Sequence, residues 1–134
     1  MGMFGPAIRN VVDITDAKDI IIKSNAVVYT RAIPLNMGVY FGLKYKAISA
    51  TGSPSIKIEM ELSDRLPTTE GSADDHYVVP EGISDIESDL TTELWKITTL
   101  SPVPMPYMRF KVTGSGTNEA DTILNLNLSV QEDY

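Results

Sequence analysis

The 134-residue sequence predicts an all-β domain: an antiparallel β-sandwich, jelly-roll-like, of about eight short strands with little or no helix. Two observations carry that prediction. Apolar residues recur with period two: Leu124, Leu126, Leu128 and Val130 alternate with Asn125, Asn127 and Ser129, and Ile56, Ile58, Met60 and Leu62 alternate with Lys57, Glu59, Glu61 and Ser63. Strict alternation gives a strand one face for a core and one for water. By contrast, no window sustains apolar residues at i, i+3, i+4 and i+7, and β-branched and aromatic residues dominate the apolar set.

In chain order, residues 1–10 read as a possible arm, 11–131 as one sandwich domain and 132–134 as a frayed tail. Met3, Phe4 and Ile8 make the arm apolar enough to order against a partner. Ile8 to Ile14, Ile20 to Lys23 and Ala26 to Ala32 are short strands, with Asp16, Asp19 and Ser24-Asn25 as turn residues. From Val39 to Ala47 the odd positions are apolar and the even ones are Tyr, Gly, Lys and Lys. With Thr51-Gly52-Ser53-Pro54 as the turn, this run and the next form a β-hairpin that sets Lys44 and Lys46 across from Glu59 and Glu61. Leu66 to Ser88 is a long connection with one short strand near Tyr77-Val78-Val79; loops of that length are uncommon unless functional or mobile. Strands Glu93 to Leu100, Tyr107 to Thr113 and Thr122 to Val130 follow, separated by the corner Ser101–Pro106 and the turn Gly114-Ser115-Gly116.

Composition removes several function classes. The chain has no cysteine, hence no disulfide framework, thiol nucleophile or thiolate metal site. A formal charge of −7 repels phosphate backbones, so nucleic acid is not an expected partner. No basic-then-apolar leader opens the sequence, and no apolar run approaches the ~18–20 residues of a membrane helix, so a soluble chain with no membrane partner is expected. Eleven carboxylates but one basic residue, Arg65, lie between Glu59 and Glu93, which reads as a solvated acidic region.

Candidate chemistry is thin. His76 is the only histidine, and no Gly-x-Ser-x-Gly elbow accompanies it, so a loop histidine is the plainer explanation and no enzyme is expected. Asp85, Glu87 and Asp89 alternate like ligands of a calcium loop, but Leu90 stands where such a loop needs glycine and Lys96 where it needs glutamate. They are weak metal candidates, and no cofactor is expected. Trp95, the only tryptophan, is read as a core or rim residue ahead of a sugar platform. Tyr40 and Tyr107 fall on polar-reading faces. Arg109 and Lys111 share the face of Tyr107, giving a row that either meets a partner or forms a ladder to neighbouring acids. The Asn125 and Asn127 face is flat, uncharged and suited to contact with a neighbouring chain.

The segments Tyr77-Val78-Val79-Pro80-Glu81-Gly82, Glu93-Leu94-Trp95-Lys96-Ile97, Ser101-Pro102 and Tyr107–Gly114 through Asp121-Thr122 resemble short β-rich virion proteins of tailed bacteriophages, of the head decoration or cement type. The likeness runs from Ile56 onward. The strand from Tyr107 to Val112 is also similar to one common in galactose-binding-like sandwiches. The phage resemblance implies a module on the capsid surface of a virion, assembled in the host cytoplasm, that binds the major capsid protein as a homo-oligomer, often a trimer. It implies no cofactor and no reaction. Met3, Phe4, Ile8, Tyr107, Arg109, Lys111, Asn125 and Asn127 are the expected partner-binding residues. The alternative is a carbohydrate- or receptor-binding β-sandwich module, which would need an exposed Trp95 or Tyr107.

Overall fold

A computed structural model describes residues 7–12, 20–35, 38–51, 54–81, 86–90, 92–100, 105–116 and 121–132. Ten strands run through them: β1 (Ala7–Val12), β2 (Ile20–Lys23), β3 (Val27–Tyr29), β4 (Ile33–Pro34), β5 (Gly38–Thr51), β6 (Pro54–Ser63), β7 (Glu87–Leu90), β8 (Thr92–Leu100), β9 (Tyr107–Gly116) and β10 (Asp121–Glu132). The first sheet has the order β1-β10-β5-β8, with β2 also paired to β10; the second has β3-β9-β6-β7, with β4 also paired to β9. Every pairing is antiparallel.

Each sheet is four positions wide. β1 and β2 lie end to end along one side of β10, against residues 128–132 and 121–124, while β5 occupies the other side. In the same way β3 and β4 share the side of β9 that β6 leaves. Counting each short pair as one position, the first sheet runs 1-8-3-6 and the second 2-7-4-5, the jelly-roll order. The expected fold class therefore holds.

Alternation builds the core. Leu43, Tyr45, Ala47, Leu124, Leu126 and Leu128 of the first sheet are buried against Ile56, Ile58, Met60, Met108, Phe110 and Val112 of the second. Two opposed apolar faces, each useless alone, remove one another from water.

Three sequence expectations change. β5 and β6 do not form a hairpin; the chain crosses between sheets at the corner, and their buried faces meet across the sandwich. A hairpin and a corner leave the same alternating signature, because each asks only that one face be apolar. Secondly, Gly114-Ser115-Gly116 is the end of β9 rather than a turn. The backbone needs glycine at 114: a Cβ there would overlap the Lys23 carbonyl oxygen and approach Ile22 to 2.9 Å. That close approach seats the β2–β3 turn, where Asn25 takes a φ of 65° and donates its N–H to the Gly114 carbonyl at 2.9 Å. Thirdly, Ala26 to Ala32 is not continuous. Thr30 breaks it, and its Oγ1 accepts the Phe110 N–H at 2.8 Å in place of a ladder carbonyl.

Of the expected arm, residues 7–10 lie in β1, paired to the end of β10. β7, absent from the sequence expectation, carries Glu87 and Asp89 as the last strand of the second sheet, where charge suits an edge.

Candidate binding face

β10 and β5 are the central strands of the first sheet, and the alternation that buries their leucines aims the other set outward. The register makes rungs: Ser129 with Gly42 and Thr99, then Asn127 with Lys44 and Ile97, then Asn125 with Lys46. Residues directly opposite share a face, so Lys44, Lys46, Asn125, Asn127 and Ile97 stand together on the outside of the first sheet.

Trp95 joins them. Between the pairs Tyr45–Lys96 and Ala47–Thr92 the register slips, two residues of β5 spanning four of β8. Trp95 lies in this irregularity, of the kind that re-aims side chains at sheet margins. Its ring sits 4.5 Å from Lys44 Nζ and 5.8 Å from Lys46 Nζ, within cation–π range of both. The indole remains 48% exposed, and Leu94 and Ile97 nearby are 73% and 71% exposed. The expectation that Trp95 packs in a core or rim is thus corrected, because the inner face of its strand is not the one it occupies. Lys44 and Lys46, read from sequence as partners of Glu59 and Glu61, belong to a different sheet from those acids.

The outer face of the second sheet is partly covered. Glu61 lies directly across from Arg109, and Glu59 across from Lys111. Arg109 Nε donates to Glu61 Oε1 at 2.8 Å, and Nη1 donates to the Ser72 carbonyl at 2.7 Å. The guanidinium lies between two rings, 4.2 Å from that of Tyr29 and 4.4 Å from that of Tyr77. The side chain is fully buried, and Nη2 has no hydrogen-bond partner among the described residues.

Residues 64–81 make this burial possible by folding back over the sheet. Val78 and Leu62 exchange backbone hydrogen bonds at 2.9 and 3.0 Å. Glu70 accepts the Ala32 N–H at 3.1 Å, and Tyr77 donates its hydroxyl to the Arg65 carbonyl at 2.6 Å. Asp74 accepts the backbone N–H groups of Thr68 (3.0 Å) and His76 (2.9 Å), which together hold its carboxyl below the ordinary aspartate range. Burial pushes the Tyr77 phenol up.

In the Tyr107–Arg109–Lys111 row Arg109 is buried and paired with Glu61, while Tyr107 and Lys111 are half-buried, opposite Ser63 and Glu59. Asn125 and Asn127 are half-buried on the outer face of the first sheet. Met3, Phe4, Asp85 and the side chains of Ile8, Tyr40, Glu87 and Asp89 lie outside the described residues. Among the described residues no three acidic or histidine groups converge as metal ligands. His76 is exposed in the loop. Sequence reasoning missed the meeting of Trp95 with the two lysines; only the outward phase of Lys44 and Lys46 was there to find.

By fold the chain is a jelly-roll β-sandwich. It superposes on VP2 of a subviral particle of infectious bursal disease virus with a TM-score of 0.60 at 10% identity, covering 96% of this chain and 33% of that one. The Gx strain of the same virus gives a TM-score of 0.57 at 9% identity, over 96% and 32%. This chain thus spans about a third of the viral chains it matches. A carbohydrate-binding module solved with β-1,4-galactotriose, TmCBM61, aligns at a TM-score of 0.46 and 12% identity over 96% and 89%, too loosely to equate residues. No protein-family model matches the sequence, and no curated protein does either.

Proposed function

We propose that this chain is a non-enzymatic structural protein of a virion, of the capsid decoration or cement type. In this reading it binds the major capsid protein at the capsid surface, stabilises the head and acts as a homo-oligomer, with a trimer favoured. The observation that carries it is the solvent-facing apolar group Leu94, Trp95 and Ile97 on β8 of a jelly roll whose core is already filled. Apolar area left in water forgoes about 25 cal/mol per Å2, which a docked capsid subunit would recover. Met3 and Phe4, ahead of β1, would add apolar contacts. The fold likeness to a virus particle protein supports the reading by analogy alone.

The test adds purified protein to a panel of undecorated capsids assembled from tailed-phage major capsid proteins. Saturable, stoichiometric binding and a raised capsid melting temperature are expected, and Leu94→Ser/Ile97→Ser should weaken binding by about tenfold or more. Absence of binding to any capsid form overturns the reading.

A second reading, a carbohydrate- or receptor-binding module, is favoured by one specific observation: the only tryptophan is half exposed beside two lysines, which two asparagines of the next strand flank.

A further inference from the structure

We propose that the outer face of the first sheet is a binding site for an anionic saccharide, an oligosaccharide carrying carboxylate or sulfate groups. The inference rests on the second reading above and narrows it to a class of ligand.

Trp95 supplies the platform. An indole half open to water presents a rigid apolar plane suited to the C–H face of a sugar ring. Lys44 and Lys46 place their ammonium groups over that ring, 4.5 and 5.8 Å from its centroid, so a sugar docked on the indole meets two cations beside it. Asn127 lies beside Lys44 and Asn125 beside Lys46, and the Asn127 amide carries donors and an acceptor of the kind that meet hydroxyl groups. Residues two apart on a strand are about 6.8 Å apart, the scale of one sugar residue. At Gly42, one rung further, a Cβ would meet nothing within 4 Å, so the face stays open there for a second sugar.

Charge selects the anionic class. The chain carries −7 overall, yet the three central rungs bear two lysines and no carboxylate. The acid-rich stretch from Glu59 to Glu93 is mainly the second sheet and its connection. Sheets stack about 10 Å apart, so the acids of the second sheet lie across the core from this face. For a ligand seated on the three rungs, Lys44 and Lys46 are the charges those rungs present.

The same placement disfavours an acidic peptide. Lys44, Lys46, Asn125 and Asn127 stand on central strands with ladders on both sides, so a strand could add only alongside β8, the edge strand that carries Trp95, and would not reach these four by its backbone. Recognition falls to side chains alone, as polyhydroxylated anions require.

The test uses the full chain and its single tryptophan. Intrinsic fluorescence is titrated with oligogalacturonate and with sialyllactose, against methyl-esterified oligogalacturonate and lactose as uncharged counterparts, and against an oligoglutamate peptide. At least one anionic sugar is expected to shift the emission saturably, to bind about tenfold more tightly than its uncharged counterpart and to weaken with salt. Lys44→Met and Lys46→Met should remove that preference, read by calorimetry, with far-ultraviolet circular dichroism unchanged. Equal binding of charged and uncharged sugars overturns the anionic inference and leaves the second reading standing. No binding of any sugar overturns both, and equal or tighter binding of oligoglutamate overturns the inference in favour of an acidic peptide.

Discussion

Arg109 shows how a residue that looks like a surface contact becomes part of the interior. Its charge is compensated by Glu61, by the Ser72 carbonyl and by two aromatic faces. A buried pair of this kind contributes modestly as a pair, but removing one partner strands the other. Arg109→Ala should therefore destabilise the domain by about 3–5 kcal/mol, read from the urea midpoint. Arg109→Met with Glu61→Gln should recover part of that loss, because neither side is left as an uncompensated charge. Lysine should not rescue the site, having no planar group to lie between Tyr29 and Tyr77. Gly114 is the opposite case, a residue whose value is the absence of a side chain. Gly114→Ala must push the Lys23 backbone away and should cost about 1–3 kcal/mol by overpacking, measured in the same denaturation. That a glycine here was special could be read from sequence; that it belonged to a strand pressed against another segment could not.

At the scale of elements, residues 64–81 act as a strap over the second sheet. Asp74 organises part of it by accepting the N–H groups of Thr68 and His76. These bonds favour the carboxylate, so the folded value lies below the unfolded one, about 3.9. The resulting stabilisation is fully present above the ordinary aspartate value and is lost as pH falls through the lowered one. Hydrogen-exchange protection at the Thr68 and His76 amides should drop in acid below about pH 4. Asp74→Ala should remove that protection at neutral pH and abolish the acid step, while the β5 and β10 amides keep theirs. The long connection was legible as unusual, but where a short strand was expected at Tyr77-Val78-Val79 there is a single bridge from Val78 to Leu62. Its role as a cover was not, because Leu62 meets Val78 and Arg109 meets Ser72 only after the chain has folded back. The β5–β6 corner failed for a related reason: pairing partners are set by the whole topology, and the alternation of one strand carries no information about which sheet receives the next.

Across the whole molecule, the jelly-roll order joins the ends of the chain. β10 pairs with β1, β2 and β5, and β9 with β3, β4 and β6, so both central partnerships close long loops. Loop-closure entropy is spent before such contacts form. Refolding should accordingly be slow for a chain of this size, in the millisecond-to-second range typical of all-β sandwiches, as stopped-flow tryptophan fluorescence would show. Microsecond refolding would contradict this topology. The order also separates two surfaces: a second sheet whose outer face is partly strapped over, and a first sheet whose outer face carries the half-exposed Trp95 with two lysines and two half-buried asparagines.

By itself the sequence determined that this chain is all-β, which residues of Leu43–Ala47, Ile56–Leu62 and Leu124–Leu128 turn their apolar side chains inward, and that Asn125 and Asn127 turn outward. Those features depend on local backbone period and on the preference of apolar side chains to leave water, both written in neighbouring residues. Tertiary structure alone decided that β5 and β6 part company, that Arg109 is buried while Trp95 is exposed, and that Lys44 and Lys46 attend an indole rather than Glu59 and Glu61. Each of these depends on which distant segment arrives at a given face, and a period-two pattern specifies a face without specifying its neighbour.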